Sequence, residues 1–348
     1  MNKISLLFIL SVLITFSAYA QDDIKITHAP YLQNLGENEV TVVWTANKPS
    51  IGWVELAPDD GTHYYQTERP KFFNAKNGIK LTSTVHSVHL TGLKPGTRYR
   101  YRVYSQEVLS HVGWRVIYGN VAATSVYGKQ PLTFLTSDHG RQSVNFAMVN
   151  DIHGKSDVLE KLVSHCDLKK TDMFLFNGDM VSIFNNEKEI FEGFMDKATE
   201  LFASEIPMYY TRGNHETRGS FATAFQDYFS PKQEHIYYMF RQGPVCFVIL
   251  DSGEDKPDSD IEYSGITDYD NYRTEQAKWL VEAVKSKDFT EAKCSPIKNA
   301  AMIARPYKIK IARRRKASVR FIFVKFRTIS IRFMVCAAPK LPPRTKMA

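Results

Sequence analysis

The last 54 residues of this 348-residue chain contain no Asp or Glu, and no histidine follows His235. Cysteine is scarce as well, with four residues at 166, 246, 294 and 336. Four in a chain this long make no disulfide framework, and none has metal-ligand spacing with another Cys or with His. Cys166 falls on a predicted helix face and Cys246 inside an apolar strand, so both read as buried thiols. Only 18 Gly and 15 Pro are present, which excludes collagen-like and low-complexity chains. No repeat with a period of about 20–50 residues is visible, which excludes a solenoid. After the amino terminus no apolar run reaches about 18 residues, so no membrane span is expected.

The amino terminus has the pattern of an export signal. Lys3 precedes an apolar run from Ile4 to Phe16, Ala18-Tyr19-Ala20 is a small-x-small cleavage site, and polar Gln21-Asp22-Asp23 comes next. Residues 1–20 are therefore expected to be removed, and the mature protein to be periplasmic or extracellular. The formal net charge of +8 splits sharply by position. Residues 1–294 carry 30 Lys and Arg against 37 Asp and Glu, a net of −7, whereas residues 295–348 carry 15 basic residues and no acid. The body is mildly acidic, and a compositionally foreign tail makes the chain basic.

From Ile24 to about Ser137 the signals are strand and turn. Val40, Val42 and Trp44 alternate with Thr41, Val43 and Thr45, and Tyr99, Tyr101 and Val103 alternate with Arg98, Arg100 and Arg102. Leu93-Lys94-Pro95-Gly96 supplies a turn before the second of these strands. The pattern predicts an all-β sandwich over residues 24–137. Arginines between tyrosines could form a nucleic-acid stripe. Alternation on a half-buried strand accounts for them more simply, and no nucleic-acid partner is expected.

From about residue 143 to 293 strands and helices alternate. Apolar strands are predicted at Val144–Val149, Met173–Phe176, Met208–Tyr210 and Val245–Leu250. One helix face carries Leu159, Leu162, Val163 and Cys166, an amphipathic helix runs from about Glu187 to Phe202, and a third carries Ala277, Leu280, Val281 and Val284. This order predicts an α/β domain with a largely parallel, buried sheet.

The carboxyl ends of the first three strands carry the chemistry. They run into Asp151-Ile152-His153, Asn177-Gly178-Asp179 and Arg212-Gly213-Asn214-His215-Glu216. Ligands of open α/β sheets bind beyond the carboxyl ends of the strands, so these motifs converge on one edge. Their oxygen and imidazole groups suit divalent first-row metals, with no thiolate among them.

The ordered set, at spacings of 28 residues (151 to 179) and 35 residues (179 to 214), resembles the calcineurin-like metallophosphoesterase superfamily. The Pro-Gly-x-x-Tyr run makes the front domain similar to fibronectin type III modules. That pairing, with the Tyr237-Tyr238 to Asp251 stretch and the Gln276-x-x-Trp279-Leu280 helix, resembles the purple acid phosphatase branch. The resemblance implies a layered α/β/β/α sandwich behind the β-sandwich. It implies two divalent metal ions (Mn, Fe or Zn), with Asp151 and His153 on the first, Asp179 bridging and Asn214 on the second. His215 would stand beside the phosphate as the catalytic residue. An ion pair about 3.5–4 Å apart clamps phosphate oxygens and activates water to hydroxide, so the expected activity is hydrolysis of phosphate esters.

Two departures shape that expectation. The purple branch has Gly where His153 stands and a Tyr iron ligand where Ser182 stands, so the coloured Fe(III)-phenolate site is not expected. The family also uses a later His-ending strand and a Gly-His-x-His, neither of which occurs here. The motif series stops where the composition breaks, near Cys294. Residues 294–348 are accordingly read as a frame-shifted or replaced C-terminal segment that leaves the phosphoesterase domain truncated. Within it Val319–Val324 could pair as a strand, and Ala312-Arg313-Arg314-Arg315-Lys316 could bind nucleic acid or an anionic membrane, although a poorly packed basic extension is the simpler reading. The expected protein is an exported acid-phosphatase-type enzyme with an impaired site. The alternative is an inactive remnant acting as a secreted binding protein. The sequence bears no signature of oligomeric state.

Overall fold

The computed structural model of the chain describes residues 22–229, 231, 234–292 and 332–337. The predicted signal segment, Val319–Val324 and the arginine cluster lie outside these. Nine strands build the front domain: β1 (Ile26–Gln33), β2 (Val40–Pro58), β3 (Lys71–Phe73), β4 (Ala75–Lys76), β5 (Ile79–Lys80), β6 (Thr82–Leu90), β7 (Arg98–Val112), β8 (Arg115–Ala123) and β9 (Leu132–Leu135). β4 and β5 form a separate small hairpin. The other strands are joined by β2, which runs through both layers of the sandwich. Its first half pairs with β1 and β6, and its second half with β7 and β3.

The register of β2 shifts between Thr45 and Ser50, where the strand changes layer. Val40, Val42 and Trp44 from one half and Val54 and Leu56 from the other then enclose one core with Tyr101, Val103 and Phe134. The predicted alternation therefore holds. The arginines of β7 are structural. Buried Arg100 donates to the carbonyls of Pro58 (2.7 Å) and Thr62 (2.5 Å), and Arg102 lies over the Tyr104 ring at 4.8 Å.

The second domain is built on β10 (Asn145–Asn150), β11 (Met173–Asn177) and β12 (Met208–Thr211), parallel in the order β12-β11-β10. A fourth parallel strand, β15 (Arg332–Ala337), pairs with the other edge of β10. The acid-free segment thus contributes backbone to the sheet. β13 (Tyr238–Gln242) and β14 (Val245–Ile249) form an antiparallel pair of their own. Val245–Leu250 is thereby assigned to a second sheet rather than to the parallel one.

The strand period of two explains the layers. Ala147, Val149, Phe174, Phe176, Met208 and Tyr210 face helical segments carrying Leu159, Val163, Phe191 and Phe194. The alternate residues Phe146, Met148, Leu175 and Tyr209 meet Tyr238, Phe240, Phe247 and Ile249 of the second sheet. Its far side, Cys246 and Val248, is covered by Phe289, Trp279, Leu280 and Val284. The result is the α/β/β/α order.

Two helix expectations need adjustment. Helical structure over 188–203 includes two π-turns, Phe191–Met195 and Thr199–Ala203. In helix Tyr269–Ala283, Val281 is 57% exposed and Ala277 is also exposed. Its inward stripe is Tyr272, Gln276, Trp279 and Leu280, because buried Gln276 sets the helix phase through its bonds to the Asp251 backbone. Cys166 and Cys246 are free thiols, the second buried. No helix among the described residues is long and apolar enough to cross a membrane.

The two domains share a core. Tyr31 and Val43 join the cluster of Phe191, Phe194 and Phe229. Tyr31 Oη and Gln33 Nε2 donate to the Tyr228 carbonyl at 2.9 and 2.6 Å, and Tyr101 Oη donates to the Ser204 carbonyl at 2.6 Å.

Candidate metal centre

Beyond the carboxyl ends of β10, β11 and β12 the backbone leaves the ordinary strand and helix conformations. Asp151 (φ 59°), His153 (φ 51°) and Asp179 (φ 54°) are all left-handed. Only three other described residues besides glycine share that conformation, so half of the six fall on predicted ligands. Left-handed backbone costs an L-residue about 1–2 kcal/mol, so three such positions require restraint from their surroundings. Backbone bonds supply part of it. Asp151 N donates to Gly178 O (3.1 Å), His153 N to Asp179 O (3.1 Å) and Gly154 N to Met180 O (2.7 Å), which fastens the first two strand-end loops together.

Glu216 ties in the third loop. Its Oε2 accepts from the amides of Asp179 (3.0 Å) and Gly213 (2.8 Å). Oε1 accepts from Met180 N (2.7 Å), Val181 N (3.3 Å) and Tyr210 Oη (2.9 Å). Burial, and then the Asp179 carboxylate, push the pKa of Glu216 up against the pull of these donors. The loops also touch backbone to backbone. A Cβ on Gly178 would lie 2.7 Å from Gly213 Cα, and one on Gly213 would collide with the Asp179 carboxylate and amide.

This framework gathers ligand atoms of His153, Asp179 and His215 within 4.8 Å of one another. Asp179 is 1% exposed, and the rings of His153 and His215 meet edge to face at 4.6 Å. His215 Nδ1 lies 2.7 Å from the Ser182 carbonyl. A carbonyl only accepts, so Nδ1 carries the proton and Nε2 is the atom left for an ion or a substrate. Burial, followed by the neighbouring His215, lowers the pKa of His153 and favours the neutral ring that ligates metals.

The other two predicted ligands are placed differently. The Asp151 carboxylate accepts from the adjacent Asn150 side chain and lies outside the trio. Asn214 Nδ2 donates to Glu254 Oε2 at 3.3 Å. Two imidazoles and a carboxylate suit one divalent first-row ion. Asn214 would ligate a second ion through Oδ1, which its Nδ2 bond to Glu254 permits.

Sequence reasoning missed the acids behind the site. Asp251, 1% exposed, is held by Arg212 through Nε (2.8 Å) and Nη2 (2.7 Å) and by Tyr272 Oη (3.1 Å). Gln276 brackets the Asp251 backbone, accepting from its N–H and donating to its carbonyl, both at 2.7 Å. The Asp251 stretch and the Gln276 helix are thus joined in one brace fixing Arg212, immediately before Gly213. Burial alone would push Glu254 up, but Arg218 in particular holds its carboxyl below the usual range. The only signal in the sequence for these roles was that Glu216 and Asp251 stand at the ends of strand-derived motifs.

Residues 144–299 match the model of the calcineurin-like phosphoesterases, and residues 28–118 match that of the purple acid phosphatase N-terminal domain. Residues 144–299 are thus a calcineurin-like phosphoesterase domain, the domain of a phosphoric ester hydrolase. The front domain is, more narrowly, like that of the purple acid phosphatases. No curated protein sequence matches it. Solved β-sandwich domains resemble the chain over about a third of its length. A computationally redesigned β-sandwich protein is 18% identical over 32% of this chain and 93% of its own, with a TM-score of 0.20. The fn3 domain of human collagen alpha-1(XX) chain is 18% identical over 30% and 89%, with a TM-score of 0.20. The FN5 domain of Drosophila Lar is 13% identical over 32% and 94%, with a TM-score of 0.20.

Proposed function

We propose that the chain is an exported, metal-dependent phosphoesterase of the acid-phosphatase type, acting on phosphate esters. The observation that carries this reading is the convergence of His153, Asp179 and His215 at the ends of three parallel strands. His153 and Asp179 would hold the first ion, with Asp151 swinging from Asn150 to join them. Asp179 would bridge to a second ion held by Asn214. Bound divalent ions would supply the positive charge that clamps phosphate oxygens and lowers the pKa of water.

The protein's own residues do the rest. His215, fixed through Nδ1 to the Ser182 carbonyl, would present Nε2 to the leaving oxygen and protonate it after Nε2 has first taken up a proton from solvent. Glu216 holds the loops so that the ligands need not be ordered afresh by each ion. Export rests on the signal pattern of residues 1–20.

Four of the seven ligand positions of the family are present, and no histidine after His235 can supply the others. Affinity for a second ion, and turnover, should accordingly be lower than in a complete site. The test is hydrolysis of 4-nitrophenyl phosphate by the purified chain, with and without added Mn or Zn. Hydrolysis that rises with either ion supports the reading. Metal binding with no turnover would favour a remnant that binds but does not cleave.

A further inference from the structure

Arg218 stands three residues after His215, and neither metal ligation nor proton transfer at the centre employs it. Its guanidinium is fixed along one edge, with Nε donating to Glu254 Oε1 at 2.5 Å and Nη2 to Oε2 at 3.0 Å. The same Oε2 accepts from Asn214 Nδ2. One carboxylate oxygen therefore holds both the guanidinium and the amide assigned to the second ion. The two partners differ sharply in exposure. The Glu254 side chain is 3% exposed and that of Arg218 is 43% exposed. Nη1 has no protein partner among the described residues.

The backbone of Arg218 is pinned too, its N–H donating to His215 O (3.2 Å) and its carbonyl accepting from Phe184 N (2.6 Å). A guanidinium with a buried counter-ion behind it and a free edge toward solvent is preorganised to receive an anion. Through Glu254 Oε2 it is tied to Asn214, and it stands three residues after His215, next to the residues that would hold a substrate phosphate.

We propose that Arg218 binds the substrate phosphate through this free edge and biases the site toward phosphomonoesters over phosphodiesters. The inference rests on the phosphoesterase reading and narrows its substrate class. A monoester phosphate carries about −1.5 to −2 charge at neutral pH, whereas a diester carries about −1. A fixed cation therefore gains more from the monoester. A diester also puts a second organic group where one of the oxygens facing Arg218 would otherwise be.

The test compares the full chain with Arg218→Gln and Arg218→Lys after loading with Mn. Inorganic phosphate is titrated calorimetrically into each, with metal content and Tm measured in parallel. Arg218→Gln should weaken phosphate binding about tenfold or more, the loss of one charge-assisted contact, at unchanged metal content. Arg218→Lys should recover part of the affinity. In turnover, Arg218→Gln should lose more kcat/KM on 4-nitrophenyl phosphate than on bis(4-nitrophenyl) phosphate. Equal phosphate affinity in native and Arg218→Gln proteins would overturn the proposal, as would a variant that loses Tm and metal with no separate effect on phosphate. Phosphate binding that depends on Arg218 in a chain without turnover would sink the hydrolase reading while leaving this assignment standing. Turnover with phosphate affinity indifferent to Arg218 would do the reverse.

Discussion

Glu216→Gln separates the two roles of the Glu216 carboxylate, because glutamine keeps the shape and removes the charge. Two effects oppose each other. Removing the charge relieves repulsion with Asp179 and the burial penalty, the causes that raise the Glu216 pKa. Against this, a carboxylate accepts on both arms and an amide on only one. Oε2 serves the amides of Asp179 and Gly213, and Oε1 serves those of Met180 and Val181 together with Tyr210 Oη. Whichever arm the NH2 group occupies, two backbone N–H groups face a donor. Each buried group left unsatisfied costs about 1–3 kcal/mol, giving about 2–6 kcal/mol before the charge relief is subtracted. A net loss of about 2 kcal/mol should lower Tm by roughly 3 °C in a protein of this size. Left-handed Asp179 loses part of its restraint with it, and Mn affinity should fall about 10–100-fold. Scanning calorimetry and Mn titration of the two proteins read both effects. A Glu216→Gln protein that melts at or above the native temperature would refute the reasoning, because charge relief would then outweigh the lost acceptors.

Asp179→Asn should reduce Mn binding and ester hydrolysis by at least about 100-fold at nearly unchanged secondary structure, as followed by titration and circular dichroism. Gly213→Ala drives a methyl group into the Asp179 carboxylate and to 2.8 Å from Glu216 Oε2, and should cost about 1–3 kcal/mol in a urea melt along with Mn binding. In the front domain, buried His86 lies 2.8 Å from Ser50 Oγ, and its pKa is pushed by burial down to about 4. Between the unfolded value of about 6.5 and the folded value the unfolded chain binds more protons. Stability from this group is therefore complete above pH 6.5 and lost as pH falls through 4, by about 3 kcal/mol in all, and urea melts of His86→Gln should show a correspondingly flatter pH dependence.

The sequence pattern carried the layers well, because a strand buried on both faces advertises itself. Val144–Val149 and Met173–Phe176 are runs with no polar face to confuse, and their terminal motifs fell on one edge as the parallel topology requires. The assignment of Val245–Ile249 to a second sheet was not legible in that run. A short apolar strand looks the same in either sheet, and only its pairing with Tyr238–Gln242 decides. The face of helix Tyr269–Ala283 is half as expected, since Leu280 and Val284 pack inward while Ala277 and Val281 are exposed, and two hydrogen bonds between Gln276 and the Asp251 backbone fix its rotation.

At the centre, residue types and spacing were enough to nominate Asp151, His153, Asp179, Asn214 and His215. They could not reveal that Asn150 and Glu254 engage two of the five, since side-chain pairing across loops leaves no periodic trace. Glu216 and Arg218 were equally silent. A buried acid with five donors and an exposed acid read alike in a sequence, and so do a loose arginine and one pinned by Glu254.

The most direct measurement is the metal content and phosphatase activity of the purified chain beside its Asp179→Asn variant, each reconstituted with Mn or Zn. The account predicts that the native chain binds divalent metal and hydrolyses 4-nitrophenyl phosphate only when loaded, while the variant does neither. Hydrolysis that persists in Asp179→Asn, or a native chain that binds no divalent metal, would contradict it.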